Sequence, residues 1–323
     1  RRQRQMCIRD RSPYMKSVIE RLTADKKRPA VHTYNATLNS FTKFFGGQGT
    51  EEMLVTDVFT AGKLKEYEAW LRSRNASWNT VSTYMRVLKA VYNRLVEAKR
   101  LTYDARLFDS VYTKVEAQSK RSLTEEQMNT LLHTDFEKLP EDVQNVLAYF
   151  LLMFLFRGMP FIDMAYLRKQ DLKEHCITYC RHKTGKKMVV RIPHEATALF
   201  EKCRNKKTDS GYLFPILDET TENDKKLYEN YRQALRTFNR KLAKMAALLL
   251  PGTNISSYTA RHTWATLAFY SGIPIGIISK ALGHSSIKVT ETYLKPFENE
   301  KVDAANDELI MSVVKRSKEK IVA

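Results

Sequence analysis

The sequence predicts a mainly α protein with a small β-sheet, an α+β arrangement in two domains, and three observations carry that expectation. Val81, Tyr84, Leu88, Val91 and Leu95 recur at helical spacing and form one core-facing stripe. Thr124-Glu125-Glu126-Gln127 reads as a capping box that opens a second helical region. One stretch reads as a hairpin, with strands Cys176–Lys183 and Met188–Ile192 about a Thr184-Gly185 turn. A chain of 323 residues is long enough to bury two ordinary cores.

Taken in order, residues 1–12 (RRQRQMCIRDRS) are densely basic with little apolar pattern, so they read as a disordered or artefactual tail. The run MCIRDRS is similar to a translated sequencing adapter, and the alternative reading is a basic arm. Residues 13–110 read as a helical domain anchored by Phe41, Phe44, Phe45, Leu64, Tyr67 and Trp70. Over residues 111–121 the amphipathic pattern weakens and Lys114, Lys120 and Arg121 accumulate, as in a linker. Residues 122–299 read as a second domain. Its first helix turns Met128, Leu131 and Leu132 inward, an apolar helix runs from about Glu141 to Phe156, and the hairpin follows. Further helices are expected around Leu227–Leu248, Tyr258–Tyr270, Ile275–Leu282 and Ser286–Tyr293. Residues 300–323 read as a short C-terminal helix with Val302, Ala305, Leu309 and Val313 in a stripe.

Lys and Arg total 54 against 36 Asp and Glu, a formal charge of +18, which points to an anionic partner, nucleic acid first. Arg86, Lys89 and Arg94 lie around the stripe of the third helical segment and are candidates for DNA contact; a plain solvated face explains them equally well. The four cysteines, Cys7, Cys176, Cys180 and Cys203, are too few and scattered for a disulfide framework, so a reducing, cytoplasmic compartment is expected. The most apolar stretch, Ala148–Phe156, is far shorter than the ~20 residues that span a bilayer, so no membrane partner is expected. His175, Cys176, Cys180 and His182 lack a CxxC pair and are too spread along a strand for one tetrahedral ion, so no metal is assigned.

The segment richest in chemistry is Tyr258-Thr-Ala-Arg261-His262, followed by Leu282-Gly283-His284 and, nine positions after that histidine, Tyr293. In this order and spacing the chain resembles the tyrosine recombinase family, also called phage-type integrases. The resemblance is specific from about residue 122 to 300 and weaker from 15 to 115. It implies a helical core-DNA-binding domain, a catalytic domain, and a site-specific recombinase that cuts and rejoins DNA through a 3′-phosphotyrosyl intermediate. Displacement at a phosphodiester builds charge on the nonbridging oxygens, so fixed cationic donors are needed more than a metal. Arg261 supplies a guanidinium that can bind phosphate bidentately, and His284, in the turn after Gly283, a ring N–H. Tyr293 is the nucleophile the resemblance implies. By the same resemblance Lys183 of the hairpin protonates the leaving 5′ oxygen, while Lys186, Lys187 and His262 contact DNA. No metal or nucleotide cofactor is required. The implied partners are double-stranded DNA, three further copies in a homotetramer on paired sites, and accessory DNA-bending or excision factors. The C-terminal helix is expected to pass to a neighbouring protomer, and the protein to be cytoplasmic and nucleoid-associated.

Two positions depart from the family pattern. Tyr258 stands where a histidine is usual, and a phenol with a pKa near ~10 is a poor proton acceptor at neutral pH. Pro160 stands where the first arginine belongs. Arg157, one helical turn earlier, is the leading substitute, and Arg181, two residues before Lys183 on the hairpin, is the reserve. The run Arg157-Gly-Met-Pro-Phe-Ile-Asp-Met-Ala165 is similar to that of integrases from Bacteroides-group mobile elements. Two rivals share parts of this reading: a type IB topoisomerase-like nicking-closing enzyme, and a DNA-binding regulator with impaired catalysis.

Overall fold

The computed structural model describes residues 8–25, 28–46, 58–114, 122–218, 223–292, 294, 303 and 306–311. The chain forms two compact units, Arg1–Gln118 and Ser119–Ala323.

The described part of the first unit is helical: α1 (Ile8–Ala24), α2 (Arg28–Phe44), α3 (Ala61–Ser73) and α4 (Trp78–Glu97). Thr60 and Ser77 start α3 and α4, each hydroxyl accepting the backbone N–H three residues on. The predicted stripe of α4 is buried at Val81, Leu88, Val91 and Leu95, but Met85 rather than Tyr84 fills the remaining position, with Tyr84 half-buried at the margin. Phe41, Leu64, Tyr67 and Leu71 face this stripe, and the Tyr67 hydroxyl donates to Ser40 Oγ at 2.8 Å. A buried acid, Glu68, accepts from Tyr112 N–H and pairs with Lys65, tying the end of the unit back to α3.

In the second unit the capping box forms as read: Thr124 Oγ1 accepts from Gln127 N–H and the Gln127 side chain accepts from Thr124 N–H, opening α5 (Glu125–Leu132). Helix α6 (Glu141–Leu155) is apolar nearly all round, so it becomes the centre of the core, packed against α8 (His194–Cys203), α9 (Asp224–Leu249) and α10 (Thr259–Tyr270). A short helix α7 (Phe161–Tyr166) begins after Pro160, and α11 (Ile275–Leu282) and α12 (Ile287–Glu291) close the described fold. An exposed helical stretch covers residues 306–311, with Leu309 among its exposed apolar side chains; Val302, Ala305 and Val313 lie outside the described residues.

The sheet is an antiparallel meander, β1 (Leu172–Lys173), β2 (Cys176–Cys180) and β3 (Lys187–Arg191), in the order β1-β2-β3. Register pairs Ile177 with Val190 and Tyr179 with Met188, and these four turn inward. Strand β1 and helices α7 and α8 are not anticipated by the sequence reading. The hairpin also differs in its turn. Strand β2 ends at Cys180, and Arg181 N–H to Lys186 O closes a four-residue loop, His182–Gly185, instead of a two-residue Thr184-Gly185 turn.

Leu132 corrects another expectation. Leu131 is fully buried, whereas Leu132 is 41% exposed, because consecutive helical residues diverge by about 100° and only one of two neighbours can face α6. Leu131→Ala is therefore expected to cost about 2–5 kcal/mol and Leu132→Ala less than about 1 kcal/mol in urea unfolding followed by circular dichroism.

Candidate active site

Arg261 lies in the first turn of α10, where Ser256 N–H donates to Thr259 Oγ1 and Thr259 N–H to Ser256 O, fixing the helix start. Its side chain is 2% exposed. Nη1 donates to Gly158 O at 2.9 Å; Nη2 donates to Leu282 O at 2.5 Å and lies 3.1 Å from His284 Nε2. A buried guanidinium needs such acceptors, and backbone carbonyls supply them without a counter-charge.

Arg181, at the end of β2, reaches the same place from the other side. It is 5% exposed, and Nη1 donates to Leu282 O at 2.9 Å and to Gly283 O at 3.3 Å. Its Nε stands 3.4 Å from Asp163 Oδ2, and Asp163 Oδ1 accepts from His182 N–H at 2.8 Å. Two guanidinium groups thus share one carbonyl at the C-terminal end of α11, where unpaired carbonyls and the helix dipole favour cations. Burial raises the Asp163 pKa, opposed by the His182 N–H and by the charges of Arg181 and Arg261.

Two glycines make the convergence possible. Gly158 has φ +67, and a Cβ there would lie 2.9 Å from Arg261 Cα. Gly283 ends α11 in the left-handed conformation at φ +66, and its Cβ would meet Arg181 Cδ and Met188 Sδ, each at 2.8 Å. The turn at Gly283 then delivers His284, whose N–H donates to Ser279 O and whose Nδ1 lies 2.9 Å from the Thr290 hydroxyl. Burial, followed by the charges of Arg261, Arg181, Lys183 and Lys186, pushes the His284 pKa down from 6.5 to about 4.

The other residues singled out from the sequence are placed as follows. Lys183 is exposed in the hairpin loop; Lys186 donates to His284 O at 3.2 Å; Lys187 is exposed at the start of β3. Tyr258 precedes α10, largely exposed, with its ring centroid 5.9 Å from that of half-buried His262. Arg157 does not join the cluster. It is exposed, sits in the left-handed region at φ +59, and its guanidinium donates to Val189 O at 3.4 Å. In the first unit Arg86 and Lys89 are exposed on α4, with the Lys89 ammonium 5.6 Å from the Phe108 ring centroid, and Arg94 is half-buried. Tyr293 lies outside the described residues. Among the described residues no group of three or more His, Cys, Asp or Glu side chains could hold a metal ion, and no helix is long and apolar enough to cross a membrane. Sequence reasoning missed Gly158, the Leu282 carbonyl and Thr290; a lone glycine directly after the apolar helix was the one available signal.

The chain matches the profile of the phage integrase family over residues 121–300 and that of the phage integrase SAM-like domain over residues 12–106. It is 26% identical over 243 residues to tyrosine recombinase XerA of Pyrococcus furiosus, covering 73% of this chain and 76% of that protein. The fold is similar to that of lambda integrase(75–356), solved as a dimer bound to a COC′ core site: TM-score 0.63 and 15% identity, over 87% of this chain and 94% of that one. It is also similar to Tn1549 transposon integrase (aa 82–397, R225K), solved with a circular intermediate DNA: TM-score 0.61 and 15% identity, over 91% and 99% of the two chains. The first profile spans more than half of the 323 residues and takes in both buried arginines and His284, so the chain belongs to the phage integrase family and is a site-specific tyrosine recombinase.

Proposed function

We propose that the Arg181–Arg261–His284 cluster binds the scissile phosphate of duplex DNA, and that Arg181, not Arg157, serves as the first arginine. The observation that carries this reading is the sharing of Leu282 O by two buried guanidinium groups with one carboxylate, Asp163, beside them. The local excess of positive charge suits an anion whose charge grows in the transition state. Tyr293 Oη loses its proton to solvent and attacks phosphorus, the P–O5′ bond breaks, and the Lys183 ammonium gives its proton to the departing 5′ oxygen. A 5′ hydroxyl from the partner strand then gives its proton to the now neutral Lys183 and attacks the phosphotyrosine, the P–O bond to Tyr293 breaks, and the tyrosine oxygen takes a proton back from solvent as the DNA is rejoined. Tyr258 occupies the catalytic histidine's position as a hydrogen-bonding group, His262, Lys186 and Lys187 take the flanking DNA contacts, and Arg86, Lys89 and Arg94 those of the first unit.

The finer assembly follows the solved relatives: lambda integrase has been seen as a tetramer bound to a Holliday junction. In this reading four copies of the present chain act on two DNA sites in the cytoplasm, with residues 300–323 exchanged between protomers and accessory bending or excision factors in attendance. The Arg157–Ala165 run supports a role in a mobile element of the Bacteroides group.

Tyr293→Phe is expected to keep DNA binding and lose the covalent adduct on a nicked duplex, read as a shifted band on a denaturing gel; an adduct at the parental level removes Tyr293 from the mechanism. Arg181→Ala is expected to slow cleavage at saturating DNA by roughly 100-fold or more, with Arg157→Ala near the parental rate. The opposite pattern restores Arg157 to the role.

For His284 the folded pKa, about 4, lies below the ordinary 6.5, so the unfolded chain binds more protons between those values. The resulting stability is complete above pH 6.5 and is lost as pH falls towards 4. His284→Gln should flatten the fall of the urea midpoint across that window.

A further inference from the structure

We infer that Thr290 is a positioning residue: its buried hydroxyl accepts the Nδ1 proton of His284 in the free protein and holds Nδ1 when the ring's protonation changes, and so couples the histidine's donor state to the helix that leads to Tyr293. The inference rests on the reading of His284 as a phosphate donor and adds to it a residue that reading does not use.

The argument begins with what each partner can do. A guanidinium only donates, so the 3.1 Å approach of Arg261 Nη2 requires a lone pair on His284 Nε2. In the neutral ring the proton then sits on Nδ1, and it is donated to Thr290 Oγ1, 2.9 Å away. This tautomer presents no N–H on Nε2. To donate to a phosphate from Nε2, the ring must either gain a second proton or move its proton from Nδ1 to Nε2. A threonine hydroxyl serves both outcomes, because it accepts from Nδ1–H in the imidazolium and donates to bare Nδ1 in the other tautomer. Thr290 is 0% exposed and the His284 side chain is buried, so water is a poor replacement for this partner.

The surroundings make the hydroxyl matter. Among the described residues the charged groups facing the ring are Arg261 from α10 and Arg181, Lys183 and Lys186 from the β2–β3 connection, all cationic, with Asp163 of α7 engaged by Arg181 and the His182 N–H. None of these can accept the Nδ1 proton except Asp163, whose two oxygens are already directed at Arg181 and His182. A phosphate that draws Arg261 to itself frees Nε2, and its negative charge favours the protonated ring. Thr290 holds Nδ1 through that change. It lies on α12, three positions before Tyr293, so the ring is held by this bond only while α12 is in place.

The first test needs no variant: imidazole nitrogen shifts of 15N-histidine-labelled full-length protein at pH 7 are expected to report His284 as the Nδ1–H tautomer, and an Nε2–H ring in the free protein overturns the inference. The second compares Thr290→Val, which keeps the shape and removes the hydroxyl, with Thr290→Ser, which restores it. At saturating nicked DNA, Val is expected to cut cleavage by roughly 10- to 100-fold and displace its pH profile, with binding unchanged, while Ser stays within about threefold of the parent. Parental cleavage and pH profile in Thr290→Val, or equal damage from Ser and Val, defeats the role of the hydroxyl. A His284→Gln control separates the two layers: parental cleavage there removes the histidine reading itself, whereas an impaired His284→Gln beside a normal Thr290→Val removes Thr290 alone.

Discussion

The carbonyl of Leu282 organises the site. It accepts from Arg261 on one helix and from Arg181 on the hairpin, two groups that would repel each other in a buried setting without a shared acceptor. An acidic partner for each would neutralise the cluster and spoil it as an anion receptor. Carbonyl oxygens at a helix end accept from the Nη donors of both arginines while leaving most of the formal charge uncompensated. Asp163 completes the arrangement by orienting Arg181 and holding the His182 end of the hairpin loop.

Much of the remaining architecture serves that meeting point. Helix α6 must stop before it would collide with Arg261, and it does so through consecutive left-handed residues, Arg157 and Gly158. For Arg157, a residue with a Cβ, that left-handed conformation costs about 1 kcal/mol. Gly158 then places its carbonyl under Arg261 Nη1, and Gly283 lets the hairpin lie against the end of α11. The register of β2 and β3 puts Met188 beside Gly283, so a slip of one residue would turn Met188 outward and a charged neighbour inward.

What the sequence disclosed follows from which signals are local. The capping box at Thr124 and Gln127, the stripe of α4 and the boundaries of α11 all rest on contacts within a few residues, and each was readable. Helix α8 was not, because it starts after Pro193 with no side-chain cap. The inward turn of Arg181 was not legible because it depends on where β2 stops: an extended strand to Lys183 would set both side chains on one face, whereas the ladder's end at Cys180 frees Arg181 to turn inward. The mainly α class with a small sheet was legible from periodicity and the hairpin, but the carbonyl that joins the two arginines carries no side-chain identity and leaves no mark in a sequence.

The uncompensated charge at the end of α11 also has a thermodynamic meaning. In the free protein burial, and then the charges of Arg261, Arg181, Lys183 and Lys186, favour a neutral His284, and those four cations bearing on one small volume put an electrostatic load on the native state there. An anion that relieves the load binds the folded form and not the unfolded one, so occupancy and fold stability rise together. Salt screens both the load and its relief, which makes the enzyme sturdiest on DNA at low ionic strength and leaves the catalytic unit at its least stable between one substrate and the next.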